Sequence, residues 1–582
     1  MPEYLRLPQS IKDRVHDFPD AVITNLQTIL REDEEETVVE HFQYEEKLDK
    51  SLLSQYSVIG LGFGLMSPVL GMSTTLSLGL INGGAITILG AFIISGFMNW
   101  LTALALGEIV SKYPIELHGS VAMLAPERYR LVMAYFTGWL MLLGSWIMNA
   151  SIQYAGARLI ISLITISDDD LITEEHLNVW TSVIYMLCIT FTGVINVMFA
   201  RFLEMINTVC IYWILYAVIF IDILLILFHH GSYRTFVYTI SHFDNKLSGY
   251  SSFLLSFMIG GFQQSNFTLQ GFSMLPALSD ETMEPEKHIP NGISQSVLIS
   301  TFCGIVYLVP ILLGMPEPEE VMTDSRVMEI VQIFTKSTRS NVVAYFLVML
   351  ILGNMLFSGI GSITTSSRAV FSMSRDHAVP YYELWSHLSP DGRQTQIPKY
   401  SVYLSMGFSY VFGLLTLVSG TAYNAFIGAS VVCLCSGTGL AIFCVMLGGR
   451  RGIKGAAVKI RHRLGWPISV VVLIWLCTVI FCMCMPVSVP VTIYDMNYTS
   501  VIFVMFLITI GVMYNSWGKY HFKIPEVSQN FRMETNSETG NSSNFKNEIY
   551  GESVFPSMRS HRSCIQSLGS STDAKSEKKS IP

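Results

Sequence analysis

Two stretches of this chain place helix breakers and polar groups inside long apolar runs. The first reads Gly60-Leu-Gly62-Phe-Gly64-Leu65-Met66-Ser67-Pro68-Val-Leu-Gly71. The second reads Gly260-Gly261-Phe262-Gln263-Gln264-Ser265-Asn266-Phe267-Thr268-Leu269-Gln270-Gly271. In hydrocarbon every backbone N–H and C=O must be satisfied within the segment, so irregular backbone survives only inside protein or beside a watery cavity. Carbonyls freed near Met66 and Gln270 can accept from ammonium groups, whereas half-helix N-termini favour anions. Phe267 and Phe272 flank the second interruption and offer ring faces there to a cation. A third run, Ser358 to Ser367, adds a small polar face through Ser362 and Thr365. Ionisable residues are costly at this depth and mark function. Asp222 is the best partner for an amine or the best titrating group, and an ion pair with Arg158, at similar depth, is the competing reading. The candidate site is therefore Gly64, Met66, Ser67, Asp222, Phe267, Gln270, Gly271, Phe272, Ser362 and Thr365. Close helix packing is the plainer use of the same glycines and serines.

The elements that must position these residues are membrane spans. The chain has 582 residues, 51% hydrophobic and 14% charged, with formal net charge −8. Soluble domains carry about 25% charged residues, and no basic field is present to hold nucleic acid. Crossing ~30 Å of hydrocarbon takes about 20 apolar helical residues. Twelve runs qualify, numbered here as spans 1 to 12: 51–81, 85–110, 131–165, 179–200, 203–228, 251–279, 291–315, 342–367, 400–419, 421–447, 464–486 and 496–516. The expected architecture is an all-α membrane protein. Interrupted spans 1 and 6, five apart, predict a five-plus-five inverted repeat with a midplane site between the broken helices.

Positive charge sets the orientation. Loops on the side of the termini carry 14 Lys and Arg, the opposite loops 5, so both termini are expected in the cytoplasm. The acidic arm 1–50 has net charge −7, so no cleavable signal peptide is expected ahead of span 1. The core is read as 51–516, and 526–582, with 13 Ser, as a disordered cytoplasmic tail. Asp280, Glu281, Glu284 and Glu286 below span 6 form either a solvated loop or a cation-gathering gate. The cysteines lack zinc or disulfide spacing. No cofactor or metal site is expected, and no P-loop or hydrolase motif supports an ATP-driven pump or an enzyme.

Several motifs together resemble the amino acid–polyamine–organocation superfamily, in its fungal amino acid/choline transporter branch, over roughly residues 45–522. They are Gly107-Glu108 through Pro114, Thr137-Gly138-Trp139 with Gly144, and Asn196 through Arg201 with Asn207. Gly271-Phe272, Ser279-Asp280-Glu281-Thr282, Ile289-Pro290, Ser366-Ser367-Arg368 and Ser374-Arg375-Asp376-His377 complete the set. Within the branch, the runs around Met66, from Phe262 to Leu278 and from Gly359 to Arg375 are most similar to fungal polyamine exporters of Golgi and post-Golgi membranes. The resemblance implies alternating-access export of a small cationic polyamine (putrescine, spermidine or spermine), with protons as the coupling ion. Two departures stand out. Span 5 has no Lys in the place where bacterial relatives substitute one for sodium, and Ser273 stands where GABA-transporting relatives have Asp. The alternatives are an amino acid, GABA or choline permease of the plasma or vacuolar membrane, and a transporter-like nutrient sensor.

Overall fold

A computed structural model describes residues 53–524 apart from 169–171, 231–232, 323, 391–395, 417–421, 461 and 492–495. The arm 1–50 and the tail 526–582 lie outside the described residues. Among the described residues the protein is helical, with one two-stranded antiparallel ribbon, Ser389–Pro390 against Gln396–Ile397.

Ten described helices are long and apolar enough to cross a membrane, against the twelve runs expected. The two that fall short have identifiable reasons. Span 6 is an α-helix over Phe253–Leu269 that continues as a 3₁₀ helix over Gln270–Leu278, and its polar run, Gln263, Gln264, Ser265, Asn266 and Gln270, leaves it too polar to qualify. At 1.5 and 2.0 Å per residue the two pieces together reach about 40 Å, enough for a crossing. Span 9 is described over Lys399–Thr416, and the end of its run lies outside the described residues.

The pattern of neighbours carries the predicted repeat. Span 5 packs on spans 1, 7 and 8, and span 10 on spans 6, 2 and 3. Span 4 packs on spans 3 and 8, and span 9 on spans 8 and 3. Span 1 packs on span 7 as span 6 packs on span 2. Exchanging each of the first five spans with the one five places later maps these contacts onto one another. Five crossings is an odd number, so the second half enters the bilayer from the opposite face.

Span 1 is a helix over Gln55–Met66 and a second over Pro68–Thr74, joined at Ser67 with φ 20° and ψ 78°, outside the helical basin. Pro68 begins the second piece, where its missing N–H is tolerated. Span 8 is longer than its apolar run, extending as one helix over Asn341–Arg375. An unforeseen helix, Glu329–Thr338, lies in the loop before it. Its buried Ile330, Val331, Ile333 and Phe334 pack it over spans 5 and 8 and the second half of span 1.

Candidate functional site

Because Pro68 has no amide hydrogen, the carbonyl of Gly64, four residues earlier, has no helical donor. The Ser358 hydroxyl of span 8 donates to it. Ser67 N–H returns to Phe63 O at 2.9 Å, and Gly71 N–H to Ser67 O at 2.9 Å. Leu65 and Met66, at the end of the first piece, border the break on its inner side together with Ser67.

A cavity opens at this break. Met66, Ser67, Phe267, Thr268 and Ser358 line it together with Met148 and Ile152 of span 3. It is narrow, with room for about one water molecule. No charged side chain borders it. A second cavity lies farther along spans 6 and 8, where Glu116, Ser273 and Thr365 meet Met141 and Ser145 of span 3. Gly271 sits between the two. A Cβ there would lie 3.0 Å from Leu65 Cβ and 3.1 Å from its carbonyl carbon, so spans 1 and 6 touch backbone to backbone at this point.

Three sequence-selected residues, Met66, Ser67 and Phe267, thus border the first cavity, and Thr365 borders the second. The remainder do other things. Gly64 packs on span 5, where a Cβ would fall 2.8 Å from Cys210 Sγ. Phe272 is fully buried in the core. The Gln270 amide and the Ser362 hydroxyl are buried with no hydrogen-bond partner, and neither borders a described cavity. Much of the polar run of span 6 staples helices together. Gln263 Nε2 donates to Cys482 O at 2.8 Å, Gln264 Nε2 to Met72 O at 3.2 Å, and Asn99 Nδ2 to Asn266 Oδ1 at 2.9 Å.

Asp222 does not pair with Arg158. The Arg158 guanidinium donates to the Ser325 carbonyl at 2.8 Å, drawn toward the loop between spans 7 and 8. Asp222 Oδ1 is buried without a hydrogen-bond partner. Its electrostatic neighbour is Tyr307 of span 7, whose hydroxyl meets Ser73 Oγ of span 1 at 2.5 Å. Asp222 is not among the residues bordering the first cavity.

The acidic cluster is mostly neutralised rather than free to gather cations. Arg375 donates to Asp280 at 2.6 Å, Lys287 to Glu284 at 2.8 Å, and Arg368 to Glu281 at 2.9 Å. The Arg368–Glu281 pair is buried and ties span 8 to the end of span 6. Beside it Leu53 N–H donates to Glu281 O at 3.1 Å and Met283 N–H to Leu53 O at 3.1 Å, latching the start of span 1 to the same segment. Arg450 likewise pairs with Glu108 at the end of span 2.

Sequence reasoning missed Ser358 as a site residue, the span 3 wall, and Glu116. The absent amide of Pro68 was a usable signal for the first; the other two depend on tertiary placement.

The pattern of the amino acid permease family matches residues 57–528. The chain belongs to that family, whose members are membrane transporters. It is 54% identical over 528 residues to the polyamine transporter TPO5 of Saccharomyces cerevisiae, covering 90% of this chain and 85% of that one. To the amino-acid permease BAT1 of Arabidopsis thaliana it is 24% identical over 506 residues, covering 83% and 95%. To a choline transporter of Saccharomyces cerevisiae it is 24% identical over 487 residues, covering 83% and 84%.

Proposed function

We propose that this permease exports polyamines from the cytosol, in exchange for protons, into Golgi or post-Golgi compartments. The 54% identity to a polyamine transporter carries the substrate class, well above the 24% shared with the amino acid and choline permeases. The cavity at the break of span 1 supports it: Leu65 and Met66 border it, and the ring of Phe267 beside them suits an ammonium on an alkyl chain. In this reading both termini and the Glu116 cavity face the cytosol, as the distribution of Lys and Arg requires. The spans of the two repeats move about the break, opening the cavity to one side at a time. Asp222 takes the coupling proton and communicates it to span 1 through Tyr307 and Ser73.

The test is uptake of radiolabelled spermidine, GABA and choline into vesicles reconstituted with the full chain, with and without an imposed pH gradient. Spermidine uptake that rises with the gradient is the expected result. Uptake of GABA or choline without spermidine would overturn the substrate assignment.

A further inference from the structure

Glu116 precedes the short helix Leu117–Leu124, where a carboxylate normally caps the exposed N–H groups of the first turn. It does not do so: its side chain makes no capping bond. The residue is 7% exposed, its Oε2 has no hydrogen-bond partner, and it borders the second cavity with Ser273 and Thr365. Its cationic neighbour is His118, whose Nδ1 lies 3.5 Å from Oε2, too far for a good hydrogen bond, so this buried oxygen is under-satisfied and can still accept from a donor, preferably a cationic one.

The spacing of the two cavities adds the second half of the argument. On span 8, Ser358 borders the first and Thr365 the second, seven helical residues apart, or about 10 Å. On span 6, Phe267 and Thr268 border the first and Ser273 and Met274 the second, again about 10 Å at 3₁₀ rise. An extended triamine of about nine backbone bonds reaches about 11 Å, and a four-carbon diamine about 6 Å.

We propose that Glu116 binds a second ammonium group of the substrate while the first occupies the cavity at Met66, so that the pair of cavities measures the length of a linear polycation. This rests on the polyamine reading above. The contact of Gly271 with Leu65 separates the two subsites in the closed molecule, and the substrate threads between them when spans 1 and 6 part.

The surroundings make the subsite pH-sensitive. Facing Glu116 are His118 of the short helix, with Nδ1 at 3.5 Å from Oε2, and Ser372, Arg375 and Asp376 at the end of span 8. Asp280 approaches from the end of span 6, and span 3 presents Met141 and Ser145. His118 is held on its other side by Asp376, Nε2 to Oδ2 at 2.7 Å. Burial pushes the Glu116 carboxyl up to about 7, against the pull of His118. A proton and an ammonium group therefore compete for the same oxygen, and triamine affinity rises with pH through about 7.

The experiment compares spermidine and putrescine uptake by the full-length protein and its Glu116→Gln and Glu116→Asp variants in vesicles, at pH 6 and pH 8 on the Glu116 side. Glu116→Gln raises the KM for spermidine about tenfold, as loss of a charge-assisted bond does. It leaves the putrescine KM within about twofold and flattens the pH dependence. Glu116→Asp falls between the two, and unchanged melting temperatures confirm that the variants fold. Equal losses for both amines, or no loss for either, would overturn the subsite. A spermidine KM that depends on sodium or potassium identity at constant ionic strength, and ceases to in Glu116→Gln, would assign an inorganic cation there and also overturn it. Wild-type protein that carries neither amine would sink the polyamine reading itself.

Discussion

Replacing Ser358 by Ala tests how span 1 is held at its break. Pro68 removes the amide that would bond the Gly64 carbonyl, and the Ser358 hydroxyl substitutes for it. Both groups are buried away from water and lipid. Deleting the hydroxyl leaves a buried carbonyl unsatisfied, at a cost of about 1–3 kcal/mol. The purified protein should accordingly melt about 1–5 °C lower. Ser358→Thr retains the hydroxyl and should melt within about 1 °C of the parent. Pro68→Ala in the Ser358→Ala background restores an amide near the orphaned carbonyl and should recover part of the loss. Because Ser358 also borders the cavity, spermidine KM should rise in Ser358→Ala and less in Ser358→Thr. A Ser358→Ala protein with parental melting temperature and parental KM would refute the substitution of hydroxyl for amide.

Gly271→Val should abolish uptake and Gly271→Ala should slow it, since a Cβ meets Leu65 Cβ at 3.0 Å and its carbonyl at 3.1–3.2 Å; parental rates in the valine variant would show that spans 1 and 6 need not touch there. Glu281→Leu alone strands a buried Arg368 and should cost about 3–5 kcal/mol, whereas adding Arg368→Met should recover most of the melting temperature. Equal melting of the single and double variants would deny the pair its buried character. Asp222→Asn should keep spermidine exchange across vesicles without a pH gradient but lose accumulation driven by one. An unchanged gradient response would remove Asp222 from coupling.

Hydropathy made most crossings legible, because apolar length is a property of each segment taken alone. Spans 2 to 5 begin and end within a few residues of their apolar runs. Where polarity is compensated by a partner elsewhere, length misleads. Span 8 continues past its apolar run to Arg375 because Arg368 finds Glu281 and Arg375 finds Asp280. The break at Ser67 was legible from Pro68, whereas the interruption of span 6 was read correctly in place and only partly in kind: it is a tightening into 3₁₀ helix. The helix Glu329–Thr338 has apolar residues at helical spacing, but the acidic residues before it make the segment read as a loop. Asp222 illustrates the remaining limit. Depth along a span follows from sequence, but azimuth does not, and Asp222 is not among the residues that border the cavity. Glu116 was hidden for the same reason, as a single acidic residue after a span looks like any solvated loop.

The neighbour map and the two cavities bear on one mechanism. If the halves of the core are equivalent by exchange, a conformation that closes one side has a counterpart that closes the other with the contacts swapped. In the described conformation the first cavity admits about one water molecule, and three ties hold the region beneath it shut. These are Gly271 on Leu65, the paired backbone of Leu53 and Glu281, and the Arg368–Glu281 ion pair. All three run from the 3₁₀ segment of span 6 or the residues just after it to span 1 or span 8. Moving that short piece away from spans 1 and 8 would break them together and join the two cavities. The proline at position 276, inside the 3₁₀ segment, withholds one more backbone donor from that piece, so fewer internal bonds hold it in place.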